Sequence, residues 1–318
     1  MNMEIVVLDG YTLNPGDLDW APLYTFGLPQ IYDRTAPDQI WRAREAEAVF
    51  TNKTPLDADA LETLPKLKYI GVLATGYDVV DVEAARRKGI TVTNVPGYGA
   101  ESVAQMTFAH ILNISNNVAG HAADVDAGGW SQTEDYCYWL TPQVELKDKI
   151  LGIIGFGEIG RAVARLARAF GMQVLIVTRT PPDPLPDDIR VVDSDELLRK
   201  ADVVTLHCPL TETTRSLINE ETIGLMKDSA ILVNCSRGQL IDEGALAGAL
   251  ENGRIKAACL DVLSREPVRG DNPLIGIKNC YITPHIAWAT REARTRLLAI
   301  AADNLRSFLD GKPQNTVS

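Results

Sequence analysis

The sequence predicts an α/β protein with two doubly wound parallel sheets, and three observations predict it. The stretch Lys149 to Thr180 (KILGIIGFGEIGRAVARLARAFGMQVLIVTRT) reads as strand, glycine turn, helix and strand. Short apolar, β-prone runs alternate with helical patterns over the first hundred residues, and the alternation resumes beyond Asp202. Alternation of this kind implies parallel sheets with helices on their faces. A length of 318 residues exceeds the usual size of one domain, so two are expected.

Taken in order, Glu4 to Leu8, Ala48 to Thr51 and Tyr69 to Leu73 are short strand candidates. Val79 to Lys88 reads as a helix ended by Gly89, with Ile90 to Thr93 as the strand behind it. Val95-Pro96-Gly97-Tyr98-Gly99 breaks the pattern and marks the expected domain boundary. Glu101 to Asn113 is a long helical pattern, and His110 and His121 lie in this region. A lone histidine in such a place is ordinarily structural or solvated. Gly128 to Pro142 is irregular and aromatic, with Trp130, Tyr136, Tyr138 and Trp139, and reads as a packed loop or a subunit contact.

In the central stretch, Ile150 to Ile154 is a nearly all-apolar run that suits a strand buried on both faces. Gly155, Gly157 and Gly160 follow, spaced G-x-G-x-x-G, with Glu158 and Ile159 between the last two. Arg161 to Phe170 repeats its apolar residues at helical spacing, and Gly171 stops that helix. Gln173 to Val177 is the next strand. This context turns a weak glycine motif into a dinucleotide-site prediction. Gly155 permits the tight turn out of the strand. Gly157 lets backbone approach a pyrophosphate, and Gly160 lets helix and strand pack closely. The helix N-terminus offers unpaired N–H groups and a positive dipole end to the phosphates.

Thr180 to Pro186 is a proline-rich loop. Strands are expected at Asp202 to His207, Ala230 to Cys235, Ala257 to Val262 and Asn279 to Thr283. Helices are expected at Thr222 to Met226, Glu243 to Glu251 and, at greater length, Arg291 to Leu309. A cleft between two such domains is a usual ligand site.

Composition narrows the function classes. The net charge of −11, with no basic run to offset it, argues against nucleic acid as a partner. The N-terminus has no basic region ahead of an apolar stretch, so no secretory signal is read there, and no apolar run suggests a membrane span. The five cysteines are odd in number and widely spaced, which suits reduced thiols in a cytoplasmic protein better than a disulfide framework or a zinc site. No metal is expected.

Three polar residues sit just beyond predicted strands of the second domain: Arg237 after AILVNCS, Glu266 beyond Val262, and His285 after YITP. In open parallel sheets ligands bind beyond the carboxyl ends of strands. The set suits reduction of a ketone by a nicotinamide, which delivers hydride to carbon and needs a proton on oxygen. Histidine can give that proton near neutral pH. A nearby carboxylate favours the imidazolium and orients it. Arginine can hold a substrate carboxylate in a fork of two hydrogen bonds. Each residue taken singly has an ordinary reading as a loop charge; together, behind a dinucleotide motif, they point to chemistry.

VNCSRGQLIDEGALAGAL, AACLDVLSREP and ITPHIAWAT resemble the D-2-hydroxyacid dehydrogenase family, as do LGIIGFGEIGRAVARLARAFGM, LHCPLTETTRSLIN and GVLATGYDVVDVEAARRKGITVTNVPG. The likeness covers essentially the whole chain and is strongest to its glycerate dehydrogenases, also called hydroxypyruvate reductases. The resemblance implies a Rossmann-type NAD(P)-binding domain, residues 99–288, inserted in a flavodoxin-like substrate domain, residues 1–98 plus 289–318. It implies that His285 is the acid/base, Glu266 its partner and Arg237 the substrate clamp, with backbone N–H groups around Thr75 and Gly76 holding the substrate carboxylate. Asp261 would hydrogen-bond the nicotinamide amide, Cys235 would lie beside the nicotinamide ribose, and His207 and Pro209 would border the adenosine end. The partners implied are a small 2-oxo or 2-hydroxy acid, hydroxypyruvate or glyoxylate foremost, and a second copy in a homodimer paired through the cofactor domain.

The chain departs from the family pattern at one informative place. Many relatives carry Asp at the end of the second strand, against the adenosine hydroxyls. Here Thr178 stands there, followed by Arg179 and Thr180. A carboxylate would repel a 2′-phosphate, and an arginine beside hydroxyls would welcome it, so NADP(H) is favoured and NAD(H) is the alternative. Gln105 and Trp288 also replace a Glu and a small residue of many relatives; Trp288 would narrow the pocket or serve domain packing. The rival readings are a dinucleotide-sensing, corepressor-like scaffold and a reductase for another 2-oxo acid, such as pyruvate or a branched-chain acid.

Overall fold

The computed structural model describes residues 3–181 and 183–318. Pro182, inside the predicted proline-rich loop, lies outside the described residues, as do Met1 and Asn2. The chain forms two units, Met1–Gly99 with Trp288–Ser318, and Ala100–Ala287.

The first unit runs β1 (Ile5–Val7), α1 (Ala21–Tyr24), β2 (Gln30–Ile31), β3 (Ala48–Thr51), α2 (Ala58–Glu62), β4 (Tyr69–Val72), α3 (Val82–Arg87) and β5 (Thr91–Thr93). Its sheet has the order β2-β1-β3-β4-β5, all parallel, which is the flavodoxin-like order. β1, β3 and β4 are buried along their whole length, which explains why each reads as a continuous apolar run. Asp81 caps α3 by accepting from the Ala84 N–H, so the helix starts later than the apolar pattern from Val79 suggests.

The second unit holds α4 (Ala100–Asn116), α5 (Val118–Asp126), β6 (Ile150–Ile154), α6 (Glu158–Ala169), β7 (Gln173–Val177), β8 (Ile189–Val191), α7 (Ser194–Lys200), β9 (Val203–Leu206), α8 (Glu220–Leu225), β10 (Ile231–Asn234), α9 (Glu243–Glu251), β11 (Ala257–Leu260) and β12 (Cys280–Ile282). The strand order is β12-β11-β10-β9-β6-β7-β8, again all parallel. The chain winds outward from β6 through β7 to β8, then returns to build β9 to β12 on the other side. Its switch point therefore lies between β6 and β9.

The final helix, α10 (Arg291–Leu309), belongs to the first unit. It buries Ala293, Leu297, Leu298, Ala301, Ala302 and Leu305 against Ile5, Val7, Phe50 and Tyr69. Thr290 caps it by accepting from the Ala293 N–H. The buried Arg294 guanidinium forks onto the Asp17 carboxylate at 2.7 Å and donates to the Leu13 and Ala289 carbonyls.

Several elements have no counterpart in the sequence reading, among them the short α1, β2 and α2 of the first unit and three elements of the second. β8 is three residues long and buries only Ile189, so it carries no legible pattern. α7 is short and mostly charged, held by its Asp193 cap and by Leu197 and Leu198. The helix expected to end near Asn113 runs to Asn116, turns at Asn117 with φ 47°, and restarts as α5. Asparagine tolerates that left-handed backbone better than most residues, but nothing local announces it.

Candidate active site

The glycine turn leaves β6 at the switch point. Gly155 has φ +97°, and a Cβ there would stand 2.5 Å from the Cys208 backbone nitrogen and 2.6 Å from the His207 carbonyl carbon. A Cβ on Gly160 would meet the Gly155 carbonyl oxygen at 2.3 Å, so the third glycine lets α6 close on the turn. A Cβ on Gly157 would meet nothing within 4 Å. The middle glycine thus faces open space, next to the Glu158 and Ile159 N–H groups of the first helical turn, which have no partner within the helix. Gly171 ends α6 at φ +71°, with its N–H on the Arg168 carbonyl and the Met172 N–H on Ala167.

His207 follows β9 against this turn. Both its ring nitrogens are buried and have no hydrogen-bond partner among the described residues. Buried polar atoms are nearly always paired, so an orphaned imidazole beside an open glycine turn fits a ligand with polar groups. An open turn, unpaired helix amides and this imidazole together fit a dinucleotide. Burial also pushes the His207 pKa down to about 4 from the ordinary 6.5. The folded chain then keeps the ring neutral while the unfolded chain takes up a proton below pH 6.5. Stability falls as pH drops from about 6.5 to 4, by at most about 3 kcal/mol from this residue. The urea midpoint of the dinucleotide-free protein should therefore fall more between pH 7 and 4.5 than that of His207→Gln; parallel curves would refute the assignment.

At the ends of the three neighbouring strands stand Arg237, Glu266 and His285. Beyond β10, the Asn234 side chain donates to the Arg237 carbonyl at 2.9 Å and accepts from the Ser236 N–H at 3.0 Å, which fixes the turn presenting Arg237. The half-buried guanidinium donates to the Ser236 carbonyl at 2.9 Å. Beyond β11, Glu266 accepts from the Leu263 N–H at 3.1 Å through Oε1. Its Oε2 lies 2.5 Å from His285 Nδ1. His285 itself has φ 54°, a left-handed backbone that costs a non-glycine residue about 1 kcal/mol or more. The strand-end placement and the pairing give a proton donor oriented by a carboxylate.

Two supports of this site carry no signal in the sequence. Glu243, legible only as the start of a helix, accepts from the Ser264 N–H at 2.6 Å, the Ser264 hydroxyl at 2.7 Å and Asn272 Nδ2 at 2.9 Å. It thereby clamps the loop that carries Glu266. Asp261, which family likeness sets against a nicotinamide, is buried beyond β11, and its carboxylate pins the loop that follows β12. It accepts from the Thr283 hydroxyl at 2.6 Å and from the Ile286 and Ala287 N–H groups at 2.9 and 2.8 Å. No residue spacing announces either clamp.

The remaining residues fall as follows. Cys235 is buried, and its thiol pKa is pushed up to about 12 by burial first and by nearby Asp261 second. It is no nucleophile at neutral pH. Thr178 is half-buried and donates to the Thr180 carbonyl at 3.3 Å. Arg179 and Pro209 are exposed. In the first unit, the loop after β4 holds Thr75, whose hydroxyl donates to the Val95 carbonyl at 2.8 Å; neither the Thr75 nor the Gly76 N–H donates to a described residue. Trp288 packs edge-on against Tyr98, ring centroids 6.2 Å apart. His121 ties the aromatic stretch to α5: its Nδ1 faces the Asn117 carbonyl at 2.8 Å, and its Nε2 accepts from the Leu140 N–H at 3.0 Å. Among the described residues no group of His, Cys, Asp or Glu could hold a metal, and no helix is long and apolar enough to cross a membrane.

Comparison with known proteins assigns the chain to a family. The profile of the family described as D-isomer specific 2-hydroxyacid dehydrogenase, NAD binding domain, matches residues 108–287. The chain is 49% identical to a hydroxypyruvate reductase of Blautia hydrogenotrophica, over 99% of this chain and 100% of that one. It is 38% identical to a glycerate dehydrogenase of Methylorubrum extorquens, over 100% of this chain and 99% of that one. Among solved structures it is similar to an acyclic imino acid reductase in complex with NADPH and D-Arg, with a TM-score of 0.86 and 30% identity over 99% of this chain and 100% of that one. The likeness runs the full length of these relatives and is not confined to the dinucleotide-binding part, so the chain belongs to the D-isomer specific 2-hydroxyacid dehydrogenase family.

Proposed function

We propose that the protein reduces a small 2-oxo acid, hydroxypyruvate or glyoxylate, to the D-2-hydroxy acid and catalyses the reverse oxidation. The observation that carries this reading is the His285–Glu266 pair, 2.5 Å apart, at the strand ends that also present Arg237. Hydride to C2 is the chemistry that a bound nicotinamide dinucleotide supplies. His285 gives the proton to the carbonyl oxygen; with Nδ1 facing Glu266, Nε2 is the nitrogen that delivers it. Glu266 accepts from Nδ1 and fixes the ring. Arg237 holds the substrate carboxylate and polarises the carbonyl. Gly155, Gly157 and Gly160, with the Glu158 and Ile159 amides, receive the pyrophosphate, and His207 and Pro209 the adenosine side. Cys235 and Asp261 take the nicotinamide side, where Asp261 Oδ2 accepts from the Ala287 N–H and, as a carboxylate oxygen, has a second lone pair to accept with.

NADPH is the proposed carrier, on the strength of Arg179 at the end of β7, exposed and forming no hydrogen bond or ion pair with the described residues. The NADPH bound by the similar imino acid reductase supports it. A homodimer is proposed because α5 buries no side chain and the stretch beyond it exposes Trp130, Tyr136 and Trp139; sedimentation at the mass of a single chain would overturn that. All five cysteines are free, which supports a reducing, cytoplasmic setting; recovery outside the cytoplasm on cell fractionation would contradict it.

The test is oxidation of NADPH and NADH with hydroxypyruvate, glyoxylate, pyruvate and a branched 2-oxo acid. Fast turnover with the first two and a kcat/KM at least about tenfold higher with NADPH are expected, with Arg179→Asp reversing the cofactor order. Turnover with the bulkier acids alone would overturn the substrate class. A clear NADH preference would overturn the carrier. Dinucleotide binding without turnover on any acid would move the reading to a sensing scaffold.

A further inference from the structure

We propose that His110 is a positioning residue for this reaction, acting through Thr283 and Asp261 on the loop that carries His285. The inference rests on His285 as the proton donor.

The chain of contacts lies within the second unit. His110 is on α4 and is buried. Its Nε2 stands 3.3 Å from the Thr283 hydroxyl oxygen. That hydroxyl stands 2.6 Å from Asp261 Oδ1. A hydroxyl has one proton, and an ionised carboxylate can only accept, so Thr283 donates to Asp261. Towards His110 the hydroxyl is then the acceptor, and Nε2 carries the hydrogen. Burial holds the His110 pKa below the ordinary histidine value, against the pull of Asp261, which suits a neutral ring with one N–H to give.

Asp261 is where this chain acts. Its oxygens take the amides of Ile286 and Ala287, the two residues after His285, and its backbone carbonyl takes the His285 N–H at 2.8 Å. The loop is thus pinned on both sides of a residue at φ 54°. Such a backbone persists only where its surroundings over-determine it. Helix α4 braces the loop a second time, for the buried Ser102 hydroxyl donates to the Ala287 carbonyl at 2.6 Å. A donor on Thr283 polarises its hydroxyl and strengthens the bond to Asp261. It also fixes the carboxylate plane, which sets where both amides, and so the imidazole, stand. A leucine in place of His110 would fill the space and supply no donor.

The experiment compares His110→Leu, His110→Gln, Thr283→Val and Thr283→Ser. Two readouts are used: steady-state kinetics, and amide hydrogen exchange at Ile286 and Ala287 in the protein without substrate. His110→Leu and Thr283→Val should lower kcat roughly tenfold, with the dinucleotide KM held within about twofold, and should speed exchange at both amides. His110→Gln restores an N–H donor and Thr283→Ser a hydroxyl, so these two should return most of the rate and the protection. A role in core packing alone predicts that His110→Leu behaves as His110→Gln does, or that the amides exchange as in wild type; either result overturns the proposal. If Thr283→Val does not fold, the His110 pair decides alone. Exchange is read without turnover. Failure of His285 as the acid, seen as wild-type turnover in His285→Ala, is therefore distinct from failure of the brace.

Discussion

His285→Ala should lower kcat for hydroxypyruvate reduction by about 10³, while the dinucleotide Kd stays within about twofold. A positioned general acid contributes roughly 10²–10⁴ in rate, and here it is the group placed to give the proton. Removing the ring leaves Glu266 with the Leu263 N–H and leaves the glycine turn of β6 untouched. Binding of the carrier should therefore survive where chemistry does not. Glu266→Gln should be milder, on the order of 10–100-fold, because an amide oxygen can still accept from Nδ1 and orient the ring, though more weakly than a carboxylate. Stopped-flow turnover and fluorescence titration with NADPH separate the two effects. Turnover of His285→Ala within about tenfold of wild type would remove His285 from the mechanism. It would also reopen the reading of the protein as a dinucleotide sensor.

The glycine turn, Arg237 and Glu266 are legible because each sits beyond a strand that is buried and so reads as an apolar run, whereas His285 follows the half-exposed edge strand β12 and is legible from its place after YITP. The position of a residue beyond a parallel strand is a local property, and sequence carries local properties well. What holds those residues in place is not local. His110 and Thr283 are 173 positions apart, and Glu243 meets Ser264 across 21. Nothing in the spacing of a histidine on an apolar helix distinguishes a core filler from a donor aimed at a catalytic loop. The same limit explains Asp261. Family likeness assigns it to a nicotinamide, but its bonds to Thr283, Ile286 and Ala287 emerge only once β11 and β12 lie side by side. Short, charged α7 and the three-residue β8 escape for a different reason: they bury too few side chains to leave a period.

Gly238→Ala and Gly248→Ala should move the protein in opposite directions, although they lie ten residues apart in one stretch. A Cβ on Gly238 would stand 1.9 Å from the Leu263 carbonyl carbon, 2.1 Å from its oxygen and 2.3 Å from the Ser264 nitrogen. All three are backbone atoms, so no rotamer change relieves the clash. The turn after Arg237 is seated directly on the loop that carries Glu266, and Gln239 donates to the Ser264 carbonyl at 2.7 Å across the same contact. A methyl group must part the two. Overpacking of this kind costs about 1–3 kcal/mol, and a displacement near 1 Å between the substrate clamp and the proton-donor pair costs about 10² in rate. Tm should drop by about 3–10 °C and kcat/KM by at least about tenfold. Gly248 lies inside α9, where a Cβ meets nothing within 4 Å. Alanine there removes backbone entropy from the unfolded chain and should add about 0.5–1 kcal/mol with activity intact. Calorimetry and kcat/KM on both variants test the pair. If Gly238→Ala keeps wild-type Tm and turnover, the two loops are not in contact as described, and the geometry that joins Arg237 to the Glu266–His285 pair fails with it.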